Sequence, residues 1–177
     1  LFRSYKYTMK SKVLALILLC GAASLGAKVK LPALVGDNMI LQQQTEVKLW
    51  GTAAPEAEVR VTPSWNGQTM TCRADKDGGW TLAVETPAAG YTPYEITFDD
   101  GEKTTLKNIL IGEVWLASGQ SNMEMPLKGF AGCCIMNGAD DIIVSAENKG
   151  VRMFTVPKHQ TYELQTDCKG SWNISSI

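Results

Sequence analysis

From Lys28 to about Asn108 the chain alternates between polar and apolar residues with a period of two. The alternation is plainest in Glu46-Val47-Lys48-Leu49, Glu58-Val59-Arg60-Val61, Trp80-Thr81-Leu82-Ala83-Val84 and Tyr94-Glu95-Ile96-Thr97-Phe98. Successive side chains of a strand point to opposite faces, so this pattern predicts short strands with one face buried and one wet. The intervening segments Gly36-Asp37-Asn38, Trp65-Asn66-Gly67, Asp75-Lys76-Asp77-Gly78-Gly79 and Asp99-Asp100-Gly101 carry the residues that tolerate positive φ in tight turns. Strands at this spacing predict an antiparallel β-sandwich over residues 28–108, close to the lower size at which a domain folds unaided.

The pattern changes at Ile109. Ile109-Leu110-Ile111 and Gly112-Glu113-Val114-Trp115-Leu116-Ala117 form a nearly continuous apolar run that stops at Ser118-Gly119. Such runs mark strands covered on both faces, as in a parallel α/β sheet. Val151-Arg152-Met153-Phe154-Thr155-Val156, ended by Pro157, predicts a second strand, and residues 122–149 have room for a helix, which together make a β-α-β unit. Ser171 to Ile177 adds no further predicted element. Residues 109–177 therefore read as the opening of an α/β domain that is truncated.

The N-terminal residues 1–27 stand apart. Lys10 and Lys12 precede the apolar run Val13 to Leu19, and small residues from Gly21 to Ala27 follow, which is the order of a secretory signal. Leu1 to Thr8 precede the first methionine and are set aside as upstream sequence. The run is well short of the roughly 18 apolar residues of a membrane span, so no stable membrane insertion is expected after signal removal, and the mature product is read as secreted or periplasmic. Cys20 follows Leu19 where a lipidated cysteine would follow a small residue, which disfavours a lipid anchor.

Seventeen Lys and Arg against eighteen Asp and Glu leave a formal net charge of -1, which supplies no broad positive field and excludes nucleic acid as an expected partner. Cys72, Cys133, Cys134 and Cys168 remain after the signal. An even number in an oxidising compartment permits disulfides, although adjacent Cys133 and Cys134 reach each other only with strain, and free or half-buried thiols fit equally. No Cys/His spacing suits zinc, so no metal or other cofactor is expected.

Gly119-Gln120-Ser121-Asn122-Met123-Glu124 carries the chemistry. Placed after a buried strand, where α/β sheets bind ligands, Ser121 is a candidate nucleophile at a helix N-terminus. Ser121-x-x-Glu124 is equally the pattern of a capping box, a purely structural device. It is not the Gly-x-Ser-x-Gly elbow, because Met123 stands at the last glycine's place.

Gly112 to Pro126 as a block resembles the first conserved block of the sialate O-acetylesterase group within the SGNH (GDSL-like) hydrolases. Leu31 to Gln42 and Val47-Lys48-Leu49-Trp50-Gly51 are similar to that group's N-terminal β-domain, and Val151 to Pro157 with Gly170-Ser171-Trp172 continue the likeness. The resemblance implies an SGNH-type three-layer α/β/α hydrolase following the β-sandwich. It implies a serine esterase that removes O-acetyl groups from sialic acids or related acetylated glycans such as acetylxylan. Ser121 would be the nucleophile with its backbone N–H in the oxyanion hole, and Gly119, Gln120, Asn122, Met123 and Glu124 the supporting motif. The Asp-x-x-His pair that the family uses as base is not in this stretch. The single histidine, His159, has no Asp three residues before it and is read as a loop residue, so the fragment is expected to be inactive.

A rival from another class is a non-catalytic carbohydrate-binding β-sandwich module with Trp50, Trp65, Trp80 and Tyr94 as a sugar platform, against their use as core. Asp140-Asp141 reads as a solvated turn. Asp75, Asp77 and Gly78 read as a hairpin turn and not a calcium loop. Asn173-Ile174-Ser175 matches the short glycosylation acceptor pattern.

Overall fold

The computed structural model describes residues 28–126 and 150–175, together with 129, 132, 140, 144 and 148. The predicted signal segment, Cys133, Cys134, Asp141 and most of the predicted helix over 122–149 lie outside the described residues.

The described chain is strand-rich. In order it forms β1 (Ile40–Gln42), β2 (Glu46–Thr52), β3 (Glu58–Pro63), β4 (Met70–Arg73), β5 (Gly79–Glu85), β6 (Gly90–Asp99) and β7 (Lys103–Gly112). A one-turn 3₁₀ helix (Ser121–Glu124) and two three-residue strands, β8 (Arg152–Phe154) and β9 (Trp172–Ile174), follow. Five strands make a curled sheet in the order β1-β7-β6-β3-β4, and β2 pairs with β5 in a second, two-stranded sheet. The first sheet is mixed rather than wholly antiparallel, because β1 runs parallel to β7 with Gln42 opposite Gly112.

Both sheets turn their apolar positions onto one core. Val59 and Val61 of β3, Ile96 and Phe98 of β6, and Leu106, Ile109 and Ile111 of β7 are buried against Leu49 of β2 and Trp80, Leu82 and Val84 of β5. Within the small sheet Val47 faces Val84, Leu49 faces Leu82, and Gly51 faces Trp80, so the widest ring lies opposite the residue with no side chain. The predicted turns sit where the composition put them. Asp75 accepts from the N–H groups of Asp77 (2.9 Å) and Gly79 (2.7 Å), with Gly78 at φ 84, and Gly101 at φ 111 turns β6 into β7. Asp75 is thereby a turn residue, as its hairpin reading requires.

Three sequence expectations need correction. First, the run from Ile109 to Ala117 is not one strand of a new sheet. Ile109 to Gly112 completes β7, a strand of the β-domain that crosses residue 108 without a break, whereas Glu113 to Gly119 has no regular structure, and Trp115 and Leu116 are 85% and 94% exposed. Second, the predicted strand over Val151 to Val156 shrinks to β8 and does not join a parallel sheet. It pairs antiparallel with β9, Phe154 opposite Trp172, so the predicted β-α-β pairing is absent among the described residues. Third, Trp172–Ile174, where no element was expected, is that partner strand.

A bulge explains the first correction. Along β6–β7, Tyr94 faces Ile109 and Ile96 faces Leu106, so one residue on β6, Glu95, opposes two on β7, Lys107 and Asn108. Asn108 absorbs the extra residue in the left-handed region at φ 58, and the inward phase moves from Leu106 to Ile109 and Ile111. Its amide nitrogen donates to Asn38 Oδ1 (2.7 Å), and its oxygen accepts from the Arg152 guanidinium (3.2 Å), which links the bulge to the N-terminal turn and to β8.

Candidate functional site

The candidate site begins where β7 ends. Glu113, the first residue past the strand, accepts from Gln42 Nε2 on one oxygen (3.0 Å) and from Gln43 Nε2 on the other (2.6 Å). These amide donors hold its carboxyl below the ordinary glutamate range. The amide oxygens are used as well: Gln42 Oε1 accepts from Val114 N–H (2.9 Å) and Gln43 Oε1 from Ala89 N–H (2.8 Å). The parallel pairing of β1 with β7 brings Gln42 and Gln43 to this point. Alternation along β1 alone gives no hint of it.

After the exposed run from Val114 to Gln120 the chain turns at Ser121–Glu124. Met123 N–H donates to Gln120 C=O (3.0 Å) and Met125 N–H to Asn122 C=O (3.3 Å). The first N–H groups of such a turn, here those of Ser121 and Asn122, have no acceptor inside it. Gly119 lets the turn close, since a side chain there would meet Met123 Cγ at 2.9 Å.

The capping box is not formed. The residue before the turn is Gln120, no side chain caps it, and Ser121 is the first residue within it. Glu124 reaches instead to Lys158 Nζ at 2.7 Å, an exposed pair of the kind that contributes about 0–1 kcal/mol. The expected helix start is, over the described residues, a single turn, too short for a macrodipole to do much. The exposed Ser121 hydroxyl has no hydrogen bond among the described residues.

Gly119, Gln120, Ser121, Asn122, Met123 and Glu124 are thus gathered in one exposed turn. The Lys158–Glu124 pair brings the loop that carries His159 towards it, yet His159 is exposed and makes no hydrogen bond among the described residues. The remaining candidates are dispersed. Trp80 is core, tilted on Phe98 at 5.8 Å, and Trp65 packs edge-on against Tyr94 at 5.7 Å while its ring N–H donates to Glu85 C=O. Trp50 alone of the four stands at the surface, so they form no common platform. Cys72 and Cys168 are free and half-buried, and burial raises the Cys72 thiol above its ordinary value. Asp140 is exposed, and Asn173 sits on β9 with its amide on Ser171 C=O (3.1 Å). Among the described residues no three of His, Cys, Asp and Glu gather to hold a metal ion, and no helix is long and apolar enough to cross a membrane.

Glu113, Gln42, Gln43 and Lys158 are site residues that the sequence alone did not single out. Lys158 carried no local signal. The two glutamines sit within the segment similar to the family's β-domain, but their partner is some seventy positions away.

No family model matches the chain. Over 175 residues it is 27% identical to a sialate O-acetylesterase of Rattus norvegicus, covering 90% of this chain and 31% of that protein. Over 161 residues it is 29% identical to a sialate O-acetylesterase of Homo sapiens, covering 84% of this chain and 29% of that one. Among solved structures, a carbohydrate acetylesterase from Xanthomonas citri superposes with a TM-score of 0.74 at 31% identity, over 84% of this chain and 33% of that chain. The chain therefore spans under a third of the length of the curated relatives it matches.

Proposed function

For a chain that is sialate O-acetylesterase-like in sequence and similar in fold to a carbohydrate acetylesterase, we propose the role of the N-terminal part of a serine esterase that removes O-acetyl groups from sialic acids. The observation that carries the proposal is the Gly119–Glu124 turn. It is exposed and presents the hydroxyl of Ser121, uncommitted to a cap, beside the N–H groups of Ser121 and Asn122, which have no acceptor within the turn.

In this reading the two facing sheets are a β-sandwich, and the chain from Glu113 onward opens an SGNH-type α/β hydrolase domain, the division falling at the end of β7. Ser121 Oγ attacks the acetyl carbonyl while a base takes its proton. The backbone N–H of Ser121 donates to the oxyanion, the sugar hydroxyl leaves with a proton, and water then releases acetate from the acetyl-serine. The base is an Asp-x-x-His pair supplied from outside these 177 residues, since the one histidine here does not engage Ser121. This stretch alone is then expected to turn over O-acetylated sialic acid at no more than a trace of the whole enzyme's rate. The product is exported to the periplasm or the extracellular space, guided by the segment from Met9 to Ala27.

The carbohydrate acetylesterase likeness favours a second substrate class, other acetylated glycans such as acetylxylan. Acetate release from O-acetylated sialic acid and from acetylated xylan, by the gene product expressed to its natural stop codon, separates the two. Activity on neither substrate would overturn the proposal.

A further inference from the structure

The device most in need of an explanation is the arrangement around Glu113. An exposed carboxylate ordinarily has water for company, yet both oxygens of this one are held by side-chain amides, and both amides have their own oxygens committed to backbone N–H groups. Gln43 N–H adds a bond to Gly112 C=O at 2.8 Å. Three segments, 42–43, 89 and 112–114, are closed into one clasp at the last point where the chain belongs to the β-domain. Beyond it, Val114 to Gln120 has no regular structure, and Ser121 follows.

We propose that Glu113 is a positioning residue for the Ser121 turn, the carboxylate hub of a clasp with Gln42 and Gln43 that sets the direction in which the chain leaves β7. Its catalytic consequence rests on the esterase reading above. Ser121 lies eight positions beyond Glu113, within a reach of at most about 28 Å, so at full reach a swing of about 2° at the clasp moves the serine by about 1 Å. A displacement of that size costs up to about a hundredfold in rate when the nucleophile must meet a carbonyl in line. The Lys158–Glu124 pair holds the far end of the same segment, but it is a single exposed contact that does not fix direction.

The polarity of the clasp makes it testable. In Glu113→Gln the new amide satisfies Gln42 with its oxygen but turns its NH2 towards the NH2 of Gln43, and flipping Gln43 would abandon Ala89 N–H. Adding Gln43→Glu restores every bond with one pair reversed: the amide of residue 113 donates to the carboxylate at 43, which still accepts from Ala89.

The experiment compares the gene product expressed to its natural stop with Glu113→Gln, the double variant Gln43→Glu/Glu113→Gln, and Ser121→Ala. The first readout is the rate of chymotrypsin cleavage after the exposed Trp115 and Leu116, which needs no activity. The second is kcat and KM for acetate release. Glu113→Gln is expected to speed cleavage about fivefold and to lower kcat about tenfold with KM within about twofold and Tm little changed, and the double variant is expected to recover both. Unchanged cleavage and kcat in Glu113→Gln, or a loss that follows Tm and is not rescued, would overturn the inference. Activity that survives Ser121→Ala would overturn the esterase reading instead, and the cleavage rates would still decide on the clasp.

Discussion

Gly51 lies near the end of β2 opposite Trp80, and replacing it by alanine tests how the β-domain is packed. A methyl there would stand 2.9 Å from Trp80 Cζ2 and 3.2 Å from Cε2, and closer still to the backbone oxygen of Lys30. That oxygen accepts from Thr52 N–H (2.9 Å), and Lys30 N–H donates to Thr52 C=O (2.8 Å), so relief requires opening the bridge that secures the N-terminal segment to β2. Overpacking a core costs about 1–3 kcal/mol, and weakening two backbone hydrogen bonds adds about 1 kcal/mol. The expected loss is about 2–4 kcal/mol, a large share of a small domain's total stability. With a urea m-value of about 1.5 kcal/mol per M, the midpoint of unfolding should fall by about 1.3–2.7 M. Urea titration followed by circular dichroism reads this directly. In a Trp80→Phe background the ring contact vanishes and the Lys30 contact stays, so the cost of Gly51→Ala should shrink by about 1 kcal/mol without disappearing. A change under about 0.5 kcal/mol in the wild-type background, or complete relief by Trp80→Phe, would refute the packing described.

Three further outcomes follow from the geometry. Trp172→Phe removes the ring N–H that donates to Leu34 C=O (2.9 Å) and trims the ring packed edge-on against Phe154; a loss of about 0.5–1.5 kcal/mol should appear as faster amide exchange in β8 and β9 with β2–β7 protected as before. Burial raises the Cys72 thiol, so less thiolate is present at pH 8, and peptide mapping after iodoacetamide should find Cys72 modified more slowly than glutathione in the same tube. Gln43 and then Gln42 lower the Glu113 carboxyl, so the clasp is intact above the ordinary glutamate value of about 4.3 and opens only as pH falls through the depressed one; Val114 amide exchange, corrected for its intrinsic pH dependence, should stay protected below pH 4.3.

Much of the β-domain was legible because alternation and turn chemistry agree there. Glu46 to Leu49, Glu58 to Val61, Trp80 to Val84 and Tyr94 to Phe98 all fall within strands, and the four predicted turns fall at strand ends or between strands, overlapping them only at Gly79 and Asp99. The errors cluster where tertiary pairing overrides local pattern. A bulge at Asn108 slips the phase by one residue, so a single strand reads as the end of one domain and the start of another. Trp115 and Leu116 look like strand interior by composition and are exposed in this structure. The site was legible only as a motif: Ser121 stood out, but local sequence could not choose between nucleophile and cap. That Glu124 turns to Lys158, thirty-four positions on, speaks against the cap and is invisible to spacing rules. The Gln42–Gln43–Glu113 clasp depends on a parallel pairing that no short-range pattern encodes.

The esterase role of Ser121 is tested most directly by acetate release from O-acetylated sialic acid by the gene product expressed to its natural stop codon, beside the same protein carrying Ser121→Ala. Turnover is expected of the first and a fall of about a thousandfold or more in the second, with Tm unchanged, because Ser121 is exposed and supports no other group among the described residues. Turnover that persists in the variant, or a folded wild-type protein that releases no acetate, would contradict that role.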